Sequence, residues 1–265
     1  MFLSKNKKSE HAKSVSTVFS PENTKRLLSK ESPFAIREAY NAFRARLMFF
    51  KSGDECPVFV FSSVNSGEGK TMTTINLAIS FAEAGKRTVI IDADMRNPSV
   101  HRYFSLKGDP GFSEYLAGIQ EEALIRDTDR ENLFVISAGQ IPPNPAELLI
   151  SERAGALLAS LKEKFDYIFI DTPPVGMVAD AMMLAAECTG YIMVVRNGTT
   201  RVADLKAVQR NLEEVGGKVA GIVTNDISGI TNRKSGNYYY YKKKHYGYYR
   251  SYGYYYGKDY NEKKR

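Results

Sequence analysis

From Pro57 onward the chain alternates short apolar runs with longer stretches of helical period. The runs "VFVFSS" (58–63), "TVIIDA" (88–93), "LFVISA" (133–138), "YIFID" (167–171), "YIMVVR" (191–196) and "VAGIVTN" (219–225) read as strands. Helices are expected between them, near 70–84, 112–117, 146–163, 178–186 and 201–215. Strands that are nearly continuous in Val, Ile and Phe, without polar alternation, require cover on both faces, so the expected fold is a doubly wound, mostly parallel α/β sheet. In such sheets ligands gather at the carboxyl ends of the strands. Ahead of this core, "SPFAIREAYNAFRARLMFF" places Ile36, Tyr40, Phe43, Leu47 and Phe50 on one helical stripe, with Ser32 suited to cap and Pro33 to the first turn.

The two ends of the chain break the pattern. Residues 1–31 are polar and rich in Ser and Lys, and read as a loose segment. After Ile230 there is no Ala, Val, Ile, Leu, Met or Phe, and half of the 24 residues from Asn237 to Tyr260 are tyrosine. Without an apolar face of either period, this stretch is expected to be a disordered tail. The division is thus 1–31, a core of 32–231, and a tail of 232–265. Three uses fit such a tail: stacking on nucleic acid, self-association, or acceptance of phosphate.

Charge belongs to the same tail. Of the net +7, residues 232–265 contribute ten Lys/Arg against Asp259 and Glu262, or +8, which leaves −1 for the rest. The folded part therefore has no electrostatic need for a polyanionic partner. Cys56 and Cys188 stand 132 residues apart with no CxxC or Cys/His spacing, which fits a reducing compartment. No run approaches the ~18–20 apolar residues of a membrane span, and the N-terminus lacks an apolar signal region, so a cytoplasmic protein is expected.

The chemistry begins where the first strand ends. "VNSGEGKTMTT" is a glycine-rich turn leading into a helix. Gly67 and Gly69 let backbone N–H groups converge on phosphate oxygens, Lys70 reaches the outer phosphates, and the Thr71 hydroxyl can take a place on Mg²⁺. The usual G-x-x-x-x-G-K-[ST] spacing asks for glycine where this chain has Val64. Alone, "GEGKT" could be an ordinary loop. Asp92 and Asp94 end the second strand 22 and 24 residues after Lys70, and Asp171 ends another. Three strand-end carboxylates after such a turn favour a nucleotide site over isolated cap residues.

"VNSGEGKT", "VIIDADMRNP", "GFSEYLAG", "SAGQIPPNPAELL" and "FDYIFIDTPPVGMVADA" together resemble the cytoplasmic bacterial tyrosine kinases of capsule and exopolysaccharide synthesis, over roughly residues 30–260. That family also ends in a tyrosine cluster. The resemblance implies an ATP- and Mg²⁺-dependent autokinase in which Ser66, Gly67, Glu68, Gly69, Lys70, Thr71 and Met72 cradle the nucleotide. It implies Thr71, Asp92 and Asp171 around the metal, and Lys70, Asp92 and Asp94 in catalysis. Asp92 is the first choice as acceptor of the phenol proton, with Asp94 next. The acceptors would be Tyr238, Tyr239, Tyr240, Tyr241, Tyr246, Tyr248, Tyr249, Tyr252, Tyr254, Tyr255, Tyr256 and Tyr260. Glu38, Asn41 and Arg44 align with the family's E-x-x-R-x-x-R subunit contact, with asparagine for the first arginine; the alternative is a helix packed on its own domain. Asn225 either faces the adenine or is a turn residue, and Arg96 either reaches phosphate or caps the turn before Pro98.

Implied partners are further copies in a ring, a separate transmembrane activator that recruits the kinase to the inner membrane face, and a cognate tyrosine phosphatase; nucleic acid is not among them. The rival class is a MinD/ParA-type ATPase whose tail is a tether. Its second lysine near the loop's start is absent, because Val64 and Asn65 occupy that region.

Overall fold

The computed structural model describes residues 26–50 and 56–225. It opens with α1 (Phe34–Phe49), followed by β1 (Val58–Ser63), α2 (Lys70–Glu83), β2 (Thr88–Asp92), α3 (Val100–Tyr103), α4 (Phe112–Leu116), β3 (Arg126–Asp127) and β4 (Leu133–Ile136). The second half runs α5 (Pro145–Leu149), α6 (Glu152–Lys162), β5 (Tyr167–Asp171), a 3₁₀ turn (Asp180–Leu184), β6 (Gly190–Arg196), α7 (Val202–Glu214) and β7 (Val219–Asn225). The sheet order is β3-β4-β2-β5-β1-β6-β7. Only β3 pairs antiparallel among the described residues. The doubly wound α/β expectation holds, and β1, β2 and β5 are buried at every position, as coverage on both faces demands.

Each face has its own core. On one, Leu157, Leu158 and Leu161 of α6 and Val208 and Leu212 of α7 pack on Val58, Val60, Ile168 and Ile170. On the other, Ile75, Ile79 and Phe81 of α2 and Leu47 of α1 meet Phe59, Phe61 and Phe169. The rings of Phe81 and Phe61 stand edge-on to Phe169, with centroids 5.3 and 5.4 Å away. This cluster anchors α2, and hence the glycine turn before it, to the middle of the sheet.

Several local expectations shift. The helix read over 146–163 is two helices, because the Ser151 hydroxyl accepts from Ala154 N (3.4 Å) and donates to Leu148 O (2.7 Å), capping a new start. The helix read over 178–186 is a single 3₁₀ turn, and α3 and β3 had no sequence signal long enough to mark them. In α1, Leu47 is buried and Tyr40, Phe43 and Phe50 pack on the core, but Ile36 is 46% exposed. Ser32 accepts from Ser29 N (3.0 Å) rather than from an α1 amide.

Leu27 and Leu28, inside the stretch read as loose, are buried against α2. Leu28 N donates to Asn76 Oδ1 at 2.7 Å, and Leu28 O accepts from Arg130 Nη1 at 3.2 Å. Leu28→Ala is therefore expected to cost about 2–4 kcal/mol, a fall of roughly 5–15 °C in Tm for a domain of this size. An unchanged thermal transition would place Leu28 outside the core.

Candidate active site

β1 delivers the chain to the glycine turn, and α2 starts at Lys70. Gly67 and Gly69 have φ of 77° and 88°, a backbone region that side-chain-bearing residues seldom enter. A Cβ at Gly67 would meet nothing within 4 Å, and one at Gly69 would lie 2.5 Å from Asn225 Nδ2. No side chain caps α2, so its first N–H groups and its dipole are left for an anion. Val64 is buried and has no positive φ, so the glycine missing there is not needed. The donor set fits a nucleotide's phosphates.

Sheet register then brings the acids in. β5 lies between β1 and β2, with Asp171 opposite Phe61 on one side and Asp92 on the other. Two of the three carboxylates expected at the site, Asp171 and Asp94, meet Lys70. Its Nζ donates to Asp171 Oδ1 at 2.7 Å and lies 3.7 Å from Asp94 Oδ2. Thr71 Oγ1 donates to Asp171 Oδ2 at 2.7 Å, and Thr74 Oγ1, unmarked by sequence, lies 3.3 Å from Asp171 Oδ1. One ammonium faces the Asp171 and Asp94 carboxylates, with Asp92 buried behind Asp171 on the next strand, a set of acidic oxygens suited to a divalent cation. Thr71 Oγ1 and Asp171 Oδ2 are the pair that would hold Mg²⁺, with Asp92 alongside.

The two acids of "DAD" are not equivalent. Asp92 is wholly buried; its Oδ2 accepts from Ser99 N and Val100 N, both at 3.0 Å, and its Oδ1 from Asp94 N at 3.2 Å. Burial, then the neighbouring Asp171, push its pKa from 3.8 up to about 7 despite those N–H bonds and Lys70. Asp94 keeps 12% side-chain exposure and offers Oδ2 beside Lys70, while its Oδ1 accepts from Asn97 N at 3.1 Å. Burial raises its pKa too, with Lys70 opposing. Of the two, the partly accessible carboxylate is Asp94's, while Asp92 is wholly buried.

The remaining expected residues divide. Ser66 and Gly67 are exposed at the mouth of the turn, whereas Met72 turns its side chain into the α2 core. Glu68 is 2% exposed, and its carboxylate is spent on the loop itself: Oε2 accepts from Val64 N (3.0 Å) and Asn65 N (3.1 Å), and Oε1 from Asn65 Nδ2 (3.0 Å) and the Thr200 hydroxyl. Asn225 Nδ2 donates to Glu68 O (2.9 Å) and Thr73 Oγ1 (3.1 Å), so both of its N–H bonds go to the loop and α2 instead of toward a base. Arg96 makes a two-pronged ion pair with buried Asp180 (2.8 and 2.9 Å), a partner that sequence reasoning missed. Arg44 donates to Ser80 O and Ser80 Oγ of α2, and Asn41 to Glu38 Oε1. The alternative of α1 packing on its own domain thus accounts for Arg44 within one chain. The twelve tail tyrosines lie outside the described residues.

Fold and turn define a nucleotide-binding P-loop protein, and the family model described as ParA, NUBPL iron-transfer P-loop NTPase, matches residues 57–250. Closer kinship appears in whole-chain likeness. The tyrosine-protein kinase CpsD of Streptococcus pneumoniae serotype 4 is 38% identical over 198 residues, 74% of this chain and 86% of that protein. The crystal structure of the chimerical protein CapA2B2 superposes with a TM-score of 0.70 at 31% identity, covering 76% of this chain and 89% of that one. The kinase domain of the Escherichia coli tyrosine kinase ETK gives 0.67 at 30%, covering 71% and 74%. The chain belongs to the bacterial protein-tyrosine kinases, as the sequence motifs implied, and is a protein-tyrosine kinase.

Proposed function

We propose that this kinase transfers the terminal phosphoryl group of ATP, with Mg²⁺, to tyrosines of its own C-terminal cluster on a neighbouring copy, and so regulates capsule or exopolysaccharide synthesis. The observation that carries the reading is the meeting of Lys70, Thr71, Asp94 and Asp171 at the mouth of an uncapped helix. Bound Mg²⁺ would neutralise charge on the β- and γ-phosphates. Lys70 leaves Asp171 for the phosphate oxygens as ATP enters. Phosphoryl transfer demands positioning and charge neutralisation more than covalent help. The phenol oxygen forms its bond to the γ-phosphorus as the bond to the β-bridging oxygen breaks, leaving ADP. A phenol of pKa ~10 sheds its proton late, and the Asp94 carboxylate receives it.

A flexible chain of about 34 residues has a root-mean-square span near 30–35 Å, the width of a small domain, a length that would let residues 232–265 reach an adjoining copy. Each phosphate adds about −1.5 to −2 charge, and four or five would cancel the tail's +8. Unmodified tails then favour docking by the acidic site, and modified tails repel one another and loosen the ring. A separate membrane-spanning activator and a cognate phosphatase complete the cycle, as the family resemblance implies. Among the described residues no helix is long and apolar enough to cross a membrane.

Incubation with Mg·ATP is expected to place phosphotyrosine on several of Tyr238–Tyr260, mapped by mass spectrometry, and to lower the native particle mass. ATP hydrolysis without phosphotyrosine, even with an activator present, would overturn the autokinase reading. A constant particle mass with a fully modified tail would overturn the charge switch alone.

A further inference from the structure

The phosphate turn is held from outside itself, by β7 and by the turn that leads from β6 into α7. Asn225 sits directly beneath it. Its amide nitrogen donates to Glu68 O and Thr73 Oγ1, and it lies so close that any Cβ at position 69 would be 2.5 Å away. Its carbonyl accepts from Asn197 N at 3.0 Å, which ties β7 to the β6–α7 turn. That turn reaches back as well. The Thr200 hydroxyl accepts from Arg196 N at 2.9 Å and donates to the Glu68 carboxylate. One residue of the loop, Glu68, is therefore gripped at its backbone oxygen by Asn225 and at its side chain by Thr200.

Among the described residues no cation pairs with Glu68, and a buried carboxylate in that setting is stabilised by the hydrogen-bond donors around it. Glu68 has four, three of them from the loop's own Val64 and Asn65 and the fourth from Thr200. The first half of the turn is thus closed on Glu68, and the amides of the second half remain for phosphate. Remove the outside grip, and the turn must order itself when the nucleotide arrives, a cost taken from affinity.

We infer that Asn225 and Thr200 are positioning residues for the kinase reaction, holding the phosphate turn in its binding shape through Glu68. The consequence is that nucleotide affinity depends on the strand from which the tyrosine-bearing tail departs. The inference rests on the kinase reading only for its turnover assay; its binding assay does not need catalysis.

Asn225→Asp keeps the shape but cannot donate, and Thr200→Val keeps the shape without the hydroxyl. In the full chain, phosphorylating an added tyrosine-containing peptide, Asn225→Asp should raise KM for ATP about 10–100-fold and Thr200→Val about 3–10-fold, with kcat within about threefold. The effect of Thr200→Val should be strongly non-additive with Glu68→Gln, because both act on the hydroxyl–carboxylate contact, whereas Asn225→Asp, which acts on the Glu68 backbone oxygen, should combine with Glu68→Gln more nearly additively. Pyrophosphate is the deciding probe. If Asn225 braces the turn, inhibition by pyrophosphate weakens in parallel with ATP binding. If pyrophosphate inhibition is unchanged while ATP binding falls, Asn225 touches the base and the inference fails. It fails also if both variants keep KM and pyrophosphate inhibition within twofold of wild type. Should Asn225→Asp lower the thermal transition markedly, Thr200→Val, which removes one half-buried hydroxyl, decides alone by the same measurements. Wild-type protein that binds pyrophosphate but makes no phosphotyrosine would remove the autokinase reading and leave the brace standing.

Discussion

Lys70→Met is expected to lower phosphotyrosine formation by about 10²–10³-fold, the loss typical of one charged group aimed at a transition state. Methionine matches the length and packing of lysine but removes the one ammonium among Asp92, Asp94 and Asp171. In the wild type that ammonium is bonded to Asp171 at 2.7 Å and buried with it. A polyanionic substrate would then enter a pocket in which the Asp94 and Asp171 carboxylates have lost their ammonium partner, so affinity for ATP falls together with turnover. The variant leaves Asp171 its two threonine donors, Thr71 and Thr74, so the site keeps its shape. Phosphotyrosine measured at saturating Mg·ATP, beside a thermal transition to verify folding, checks this. A folded variant that keeps a tenth of wild-type turnover would exclude Lys70 from catalysis.

The second large effect concerns pH and stability. Asp92 is raised from 3.8 to about 7 in the folded protein by burial and Asp171. Between those values the folded state holds a proton that the unfolded chain has released. Stability is therefore fully present below about pH 4, declines as pH rises, and levels off above about pH 7, a loss of up to roughly 4 kcal/mol. Asp92→Asn removes the ionisation. Its amide oxygen can still accept from Ser99 N and Val100 N, although its amide nitrogen meets the N–H of Asp94 unfavourably. Without metal or nucleotide, the variant's Tm should stay nearly flat from pH 5 to 8 while the wild type's falls, so that the variant is the more stable at pH 8. Parallel curves for the two proteins would show that Asp92 does not titrate in this range.

Sheet and phosphate turn were both legible in the linear chain. Strands without polar alternation have few ways to be buried, and a parallel sheet under two helical layers is the commonest. Gly67, Gly69, Lys70 and Thr71 could be assigned together because phosphate binding by backbone amides is a local act of a few consecutive residues. Asp92, Asp94 and Asp171 were marked by standing at strand ends, where a parallel sheet places its ligands.

What adjacency in space decides was not legible. That β5 inserts between β1 and β2 puts Asp171 in hydrogen-bond contact with Lys70, nearer than Asp94 at 3.7 Å; the order of strands follows from how the crossovers pack, which no local segment carries. The same folding buries Asp92 under the Ser99 and Val100 amides and leaves the open oxygen to Asp94, though the two stand side by side in "DAD". Glu68 in the glycine turn reads as one more phosphate-loop residue, and only the fold turns its carboxylate inward to the loop's own amides and Thr200. Asn225, 155 residues from Lys70 along the chain, becomes the loop's brace because β7 joins the sheet beside β6. Residue types and spacings by themselves determined which chemistry this chain can perform, since backbone curl, charge and strand periodicity are short-range properties. Which side chain faces substrate and which holds another in place was decided by the tertiary structure, because hydrogen-bond partners distant in sequence exist only once the sheet is assembled.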